Sequence, residues 1–244
     1  MHWLEFYNIA ERHQDLINPT SEEKITKLGE KMKMNDSTRI IDFGCGCGLP
    51  LILWAKQFGI SGIGIEFRER SLNRAKELVA ESRLENKIEL VRADASKYKF
   101  EPGGFDIASC MGASFIWEGF QPTLKVLKKA LKPGGQILIG EPYWMTDNVP
   151  PKYATRESFH SELDILKIIQ REDLDLAYMV RSSPDEWNRY ETANWEGMIS
   201  WLNENPDHSE RQEVIDKMHE WQDDYFRYGR QYLGWALYVL IPKL

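Results

Sequence analysis

IDFGCGCG, Ile41 to Gly48, sets how the rest of the chain is read. The apolar residues Ile40 and Ile41 lead to an acid, Asp42, and then to Gly44, Gly46 and Gly48. Pro50 follows at an early helical position and opens the apolar run 51–55, so the segment reads as strand, glycine turn, helix. Glycines take φ > 0 at little steric cost and let the backbone approach a ligand closely. A dinucleotide fingerprint, G-x-G-x-x-G/A, needs a small third residue. Counted from Gly44, that place holds Leu49, which disfavours hydride transfer with NAD; the spacing here is G-x-G-x-G.

Outward from this turn the chain alternates. Strands are expected at 39–43, 62–66, 88–93, 105–110 and 136–140, the last after the turn Lys132-Pro133-Gly134-Gly135. Helices are expected at 50–58, from about Ser71, and at 122–131. Regular β–α alternation with short connections predicts an α/β, doubly wound, mostly parallel sheet. Two helical patterns precede it, 3–16 and 21–31, the second capped by Thr20 or Ser21 with Glu22 or Glu23 near the capping-box position. After Glu141 the chain becomes acidic and rich in Trp and Tyr. Helical patterns cover 185–202 and 214–232, with closing strands at 175–180 and 232–241. The expected organisation is one domain over 1–244. Its core is 36–142 with 175–182 and 231–242, and a helical cap of 1–35, 143–174 and 183–230 is inserted mostly before the last strand.

Composition narrows the function. With 244 residues and 42% hydrophobic content, the chain can bury one sizeable core. Its net charge of −7 lacks the basic stripe of a nucleic-acid binder, so no nucleic-acid partner is expected. No apolar run is long enough to span a membrane and the N-terminus lacks a signal-peptide core, so a cytoplasmic location is expected. Cys45 and Cys47 are too close for a usual zinc pair and have no nearby His; with Cys110 they read as small residues in a reducing compartment, and no metal is expected. The phosphate-binding G-x-x-x-x-G-K-[ST] and the hydrolase elbow G-x-S-x-G are both absent.

In open α/β sheets ligands sit at the carboxyl ends of the strands. There the sequence places Asp42, then Glu66, then Asp94 with Ala95, then Cys110-Met111-Gly112, then Glu141-Pro142-Tyr143. Glu66 lies about twenty residues beyond the glycine turn, where an acid can accept ribose hydroxyls.

Over residues 36–141 this series, ending in LKPGG, resembles the class I S-adenosylmethionine (SAM)-dependent methyltransferases, whose motif I the glycine turn matches. The resemblance implies a Rossmann-like, seven-stranded sheet with an antiparallel last strand, and SAM as cofactor, released as S-adenosylhomocysteine. It implies that Gly44, Cys45, Gly46 and Gly48 lie against the methionine part, oriented through Asp42. Glu66 would bind the ribose, Asp94 the adenine amino group with Ala95 beside the ring, Cys110 and Met111 would line the far side, and Phe67 would also contact the cofactor. An acid-lined site suits a cofactor that carries a sulfonium and an ammonium. Beyond the core, INPTSEEK (17–24), MGASFIWEGF (111–120), GEPYW (140–144) and WNRYETANW (187–195) resemble a bacterial and archaeal subgroup for which no acceptor is implied.

The acceptor is expected to be a small molecule, methylated by in-line displacement; the alternative is a SAM-binding partner protein without turnover. A general base is needed only if the acceptor must lose a proton. Glu141, at the end of the fifth strand, Tyr143 and His13 are the candidates, against the reading of Glu141 as a turn cap and of His13 as a surface residue on the first helix. Tyr143, Trp144, Trp187, Tyr190 and Trp195 are the candidates for an acceptor pocket, with Arg189 among them, against a purely packing role. The stripe Val214, Met218, Trp221, Tyr225, Tyr228 and Tyr232 reads as core. The oligomeric state is open.

Overall fold

The computed structural model describes residues 1–155 and 159–244. Its strands are β1 (Arg39–Phe43), β2 (Ser61–Glu66), β3 (Ile88–Arg92), β4 (Phe105–Met111), β5 (Leu131–Trp144), β6 (His160–Ser161), β7 (Leu174–Arg181) and β8 (Leu233–Pro242). They form one sheet in the order β3-β2-β1-β4-β5-β8-β7, with β6 paired to β5. β1 to β5 run parallel, and β8 is antiparallel to both its neighbours, β5 and β7. The expected sheet is therefore present, with one short strand more. β5 runs past Gly140 as far as Trp144 because β8 keeps pairing with it, from Ile137 opposite Leu240 to Trp144 opposite Leu233.

Because successive strand residues face opposite sides, the sheet buries two clusters. Ile41, Phe43, Ala108, Ile137, Ile139 and Tyr238 face α5 (Phe120–Ala130) and α7 (Glu162–Arg171). Ile40, Ile107, Leu138, Leu237 and Val239 face α2 (Glu22–Lys31), α3 (Leu49–Phe58) and α4 (Glu69–Glu81). α7 departs from the sequence reading. Its stretch is expected in the cap, yet Ile165, Ile168 and Ile169 at helical spacing bury it in the first cluster.

The cap joins α1 (Trp3–Ala10), α8 (Pro184–Glu204) and α9 (Arg211–Asp224) around Phe6, Ile9, Ala10, Met198, Leu202, Val214 and Met218. A Cβ on Gly197 would stand 2.2 Å from the Ala10 carbonyl oxygen, so only glycine lets α1 and α8 close to this distance. α6 (Pro151–Ala154) lies before β6, and α10 (Arg230–Tyr232) leads into β8.

Three helix expectations are corrected. The first helix ends at Ala10 rather than near Leu16, because Glu11 turns inward to pair with Arg68, and Gln14 donates to Asn194 Oδ1 at 2.8 Å. Ser21 caps α2 by accepting from the Lys24 amide, so Lys24 occupies the capping-box position; neither Glu22 nor Glu23 does, and Lys24 pairs with Glu186 instead. The 214–232 stripe is broken by a π turn at Tyr225–Gly229, which swings the chain toward β8.

Candidate functional site

The glycine turn occupies the carboxyl end of β1. Gly44, Gly46 and Gly48 have φ of 71°, 56° and 69°, the left-handed region that favours glycine. The Gly44 and Cys45 amides donate to the Ile65 carbonyl at 2.8 and 3.0 Å, tying the turn to β2. Gly48 is the N-cap of α3, with Pro50 in its first turn.

Asp42 is 1% exposed and accepts from Ser109 Oγ at 2.7 Å through Oδ1, while Oδ2 has no hydrogen-bond partner among the described residues. Burial pushes its carboxyl up to about 7, against the lowering effect of Ser109. Glu141, on β5, is 8% exposed and its Oε1 has no hydrogen-bond partner among the described residues. Burial pushes it to about 7 as well, partly offset by Ser114. Two buried carboxylates with spare acceptor capacity thus stand near the carboxyl ends of β1 and β5, the strands that flank β4.

Glu66 ends β2 and is buried. Its Oε2 accepts from the Gly46 amide at 2.9 Å and its Oε1 from the Arg68 amide at 2.7 Å. Arg68 also bonds Glu11, so the chain that leaves α1 is latched to the glycine turn through two acids and one guanidinium. Phe67, beside Glu66, is 55% exposed. Asp94 binds Ser96 through its amide and hydroxyl and Lys97 through Nζ. The Ser96 hydroxyl and Lys97 hold its carboxyl down at about 2. Ala95 is buried.

Cys110 and Met111 do not form one wall, since consecutive strand residues point to opposite faces. Cys110 is fully buried in the α5/α7 cluster; Met111 packs in the other, with Trp235. All three thiols are free and buried. Burial raises Cys45 and Cys110 well above the usual thiol range and Cys47 to about 12, which makes them poor nucleophiles.

Residues 14–20, of which 14–16 are expected in the first helix and Thr20 as a cap, instead cross the glycine turn as a strap. A Cβ on Gly46 would meet Ile17 Cδ1 at 3.3 Å, and Cys47 Sγ contacts the Gln14 carbonyl at 3.7 Å. Ser182 donates to the Pro19 carbonyl, Trp235 Nε1 to Thr20 Oγ1 at 3.1 Å, and Arg189 to the Thr20 carbonyl at 2.8 Å. Arg189 is therefore a clamp on the strap rather than part of an acceptor pocket. A cavity of about 570 Å³ lies between the strap's start and α4, with Gln14, Cys47, Glu69 and Arg70 in its wall.

A second cavity, of about 360 Å³, lies beneath the cap, with Trp187, Glu191, Trp221, Tyr225 and Leu233 in its wall. Leu233 is the β8 partner of Trp144, three residues beyond Glu141 on β5, so the cavity adjoins the site end of that strand. Trp187 also packs against the cluster that holds Met111 and Trp235. The other aromatic candidates scatter. Trp144 meets the rings of Tyr153 and Phe159, at 5.6 and 5.3 Å, both in the cavity wall. Tyr143 is buried and its hydroxyl accepts from Arg181 Nε at 2.5 Å. Tyr190 is half-buried, and Trp195 packs on Tyr225 and Phe226. His13 is exposed in the turn after α1, not on a helix. Glu191 and Trp221 were missed as site residues; a Trp/Tyr stripe at helical spacing looks the same whether it faces a core or a cavity wall.

Residues 40–135 match the family described as methyltransferase domain. The chain is 34% identical to the uncharacterized protein YjhP of Escherichia coli (strain K12), over 97% of this chain and 98% of that protein. It shares 34% identity and a TM-score of 0.92 with a SAM-dependent methyltransferase from Geobacter sulfurreducens solved in complex with S-adenosylhomocysteine, covering 98% of both chains. A Thiobacillus denitrificans SAM-dependent methyltransferase, also solved with S-adenosylhomocysteine, gives 30% identity and a TM-score of 0.92 with full coverage of both chains.

The chain belongs to the SAM-dependent methyltransferases, and SAM is its cofactor. The residues present fit that cofactor: Asp42 Oδ2 and Glu141 Oε1 are acceptors of negative or latent negative charge at the site, which suits a ligand bearing a sulfonium and an ammonium. Among the described residues no group of three or more His, Cys, Asp or Glu is placed to hold a metal ion, and no helix is long and apolar enough to cross a membrane.

Proposed function

We propose that this methyltransferase acts on a small-molecule acceptor held beneath the cap. SAM supplies an electrophilic methyl carbon. The protein's part in such a displacement is to orient the acceptor atom and exclude water. In this reading Gly44, Gly46 and Gly48 lie along the methionine part and Asp42 orients it. Glu66 accepts from the ribose, Asp94 and Ala95 border the adenine, and Phe67 covers it. The strap of residues 14–20 closes over the turn. Where the acceptor must lose a proton, Glu141 takes it, since a carboxyl near 7 is poised to exchange one at neutral pH. Tyr143, whose hydroxyl is bound to Arg181, orients Arg181 instead.

The observation that carries the small-molecule reading is the 360 Å³ cavity, of ordinary size for a small ligand and adjoining the end of β5. A cap packed solid there would favour a binding protein without turnover. The acidic balance of the chain supports the same choice over a polyanionic acceptor.

Two measurements test this. Calorimetric titration with S-adenosylhomocysteine beside NAD should show binding of the former alone. Incubation with methyl-labelled SAM and a cell extract, split by size, should place the label in the low-molecular-mass fraction. Label confined to protein or nucleic acid refutes the small-molecule reading.

A further inference from the structure

The cavity beneath the cap holds a carboxylate that meets no cation among the described residues. Glu191, on α8, is 6% exposed and faces this space. Trp187, Trp221, Tyr225, Phe6 and Tyr7 share the wall with it. Its Oε2 has no hydrogen-bond partner among the described residues. Burial pushes the carboxyl up to about 7, although the neighbouring Trp221 and Trp187 indoles work in the other direction. A carboxylate in such surroundings destabilises the fold unless a cation meets it.

Among the described residues, the cations in or beside the wall are committed elsewhere. Lys217, also in the wall, pairs with Glu213 at 2.8 Å and sits 4.9 Å from the Phe6 ring centroid. Arg230 lies over the Tyr225 and Phe226 rings, at 5.9 and 5.4 Å. The remaining charged residues of the wall, Glu220 and Asp224, are acidic. A buried carboxylate inside a ring of electron-rich aromatic faces is the combination that favours an organic cation over any neutral ligand of the same shape.

We propose that this cavity takes an ammonium-bearing small molecule, with the cationic head against Glu191 and the aromatic wall around it. The proposal rests on the methyl-acceptor reading above and narrows it to a substrate class. The ammonium is a recognition handle: held by Glu191, it fixes the molecule so that a different atom of it reaches the end of β5 near Glu141.

The test uses the full chain and a matched pair of probes. Choline carries a trimethylammonium; 3,3-dimethylbutan-1-ol replaces that nitrogen by carbon and is neutral. Binding of each is measured by tryptophan fluorescence and calorimetry, with and without S-adenosylhomocysteine. Choline should bind at least about tenfold more tightly than the alcohol. Glu191→Gln should abolish the preference while leaving the S-adenosylhomocysteine affinity unchanged. Trp221→Leu should weaken choline and leave the alcohol little changed. Equal binding of the two probes, no binding of choline, or a preference that survives Glu191→Gln overturns the proposal. The separate S-adenosylhomocysteine titration reports on the cofactor site, so its failure is distinguishable from failure at the cavity.

Discussion

The amide of Gly46 donates to Glu66 Oε2 over 2.9 Å, so the middle of the glycine turn and the acid that ends β2 form one unit. The same carboxylate accepts from the Arg68 amide at 2.7 Å, which leaves its remaining lone pairs aimed by two fixed backbone donors. An acid held in this way needs little reorganisation to accept a hydroxyl.

Glu66→Ala removes both the acceptor and the support of the turn. S-adenosylhomocysteine affinity should fall by roughly 1.5–3 kcal/mol for each charge-assisted bond lost. Glu66→Gln keeps an acceptor oxygen for one backbone donor and should lie between. Calorimetric titration reads all three proteins, and an unchanged affinity for the alanine variant removes Glu66 from the site.

Glu11 and Arg68 are a buried ion pair, with side chains 7% and 16% exposed. Removing Arg68 leaves Glu11 buried and unmatched, so Arg68→Met should cost about 3–5 kcal/mol, and Glu11→Gln should cost less because Arg68 keeps Glu66 at 3.7 Å. The double variant should recover much of that loss. Thermal melts of the four proteins measure the coupling; strictly additive losses would show that the pair does not act as a unit.

Asp42 and Glu141 are both raised to about 7 by burial, whereas an unfolded carboxyl titrates near about 4. Between these values the native protein holds protons that the unfolded chain has released. Stability should therefore fall as pH rises from about 4 to about 7, on the order of 3–4 kcal/mol for each group, and level off above. Asp42→Asn and Glu141→Gln should each flatten the profile, as read by melting temperature across that range. SAM, with its sulfonium and ammonium beside these acids, favours their charged forms, so its binding just below pH 7 should release protons, and S-adenosylhomocysteine, which lacks the sulfonium, should release fewer. Calorimetry in buffers of different ionisation enthalpy detects that release.

Gly197→Ala places a methyl 2.2 Å from the Ala10 carbonyl oxygen and 2.8 Å from that of Ile9, backbone that cannot rotate away. α1 must shift away from α8, at a cost of about 1–3 kcal/mol. Glu11 follows Ala10 directly, so the latch to Arg68 should loosen and S-adenosylhomocysteine affinity should drop with stability. A variant that melts lower yet binds with wild-type affinity would uncouple the arm from the cofactor site.

Most of the sheet was legible because its signals are local. The run at Arg39–Phe43, the glycines that follow and the LKPGG turn each depend on residues a few positions apart, and β1 to β5 follow from them. The acids at the strand ends, Asp42, Glu66, Asp94 and Glu141, could be placed by topology alone. The spread of the aromatic candidates could not. Trp187 reaches the cavity while Trp195, two turns on along the same helix, packs against Tyr225 and Phe226. Helical spacing fixes which side of α8 a residue occupies, not what stands opposite.

The sequence by itself determined the strand–helix alternation and the glycine turn, since backbone conformation and hydrophobic period are set by near neighbours, and the class of cofactor followed from the family resemblance those residues carry. Only the tertiary structure decided that Glu11 joins Arg68, that Gln14 meets Asn194, that Arg189 clamps the strap at Thr20, and that Glu191 faces a cavity. The first three link residues 57, 180 and 169 positions apart, and no spacing rule reaches so far. Such pairs arise when packing brings distant segments together, and burial then gives each charge and amide its partner or leaves it without one.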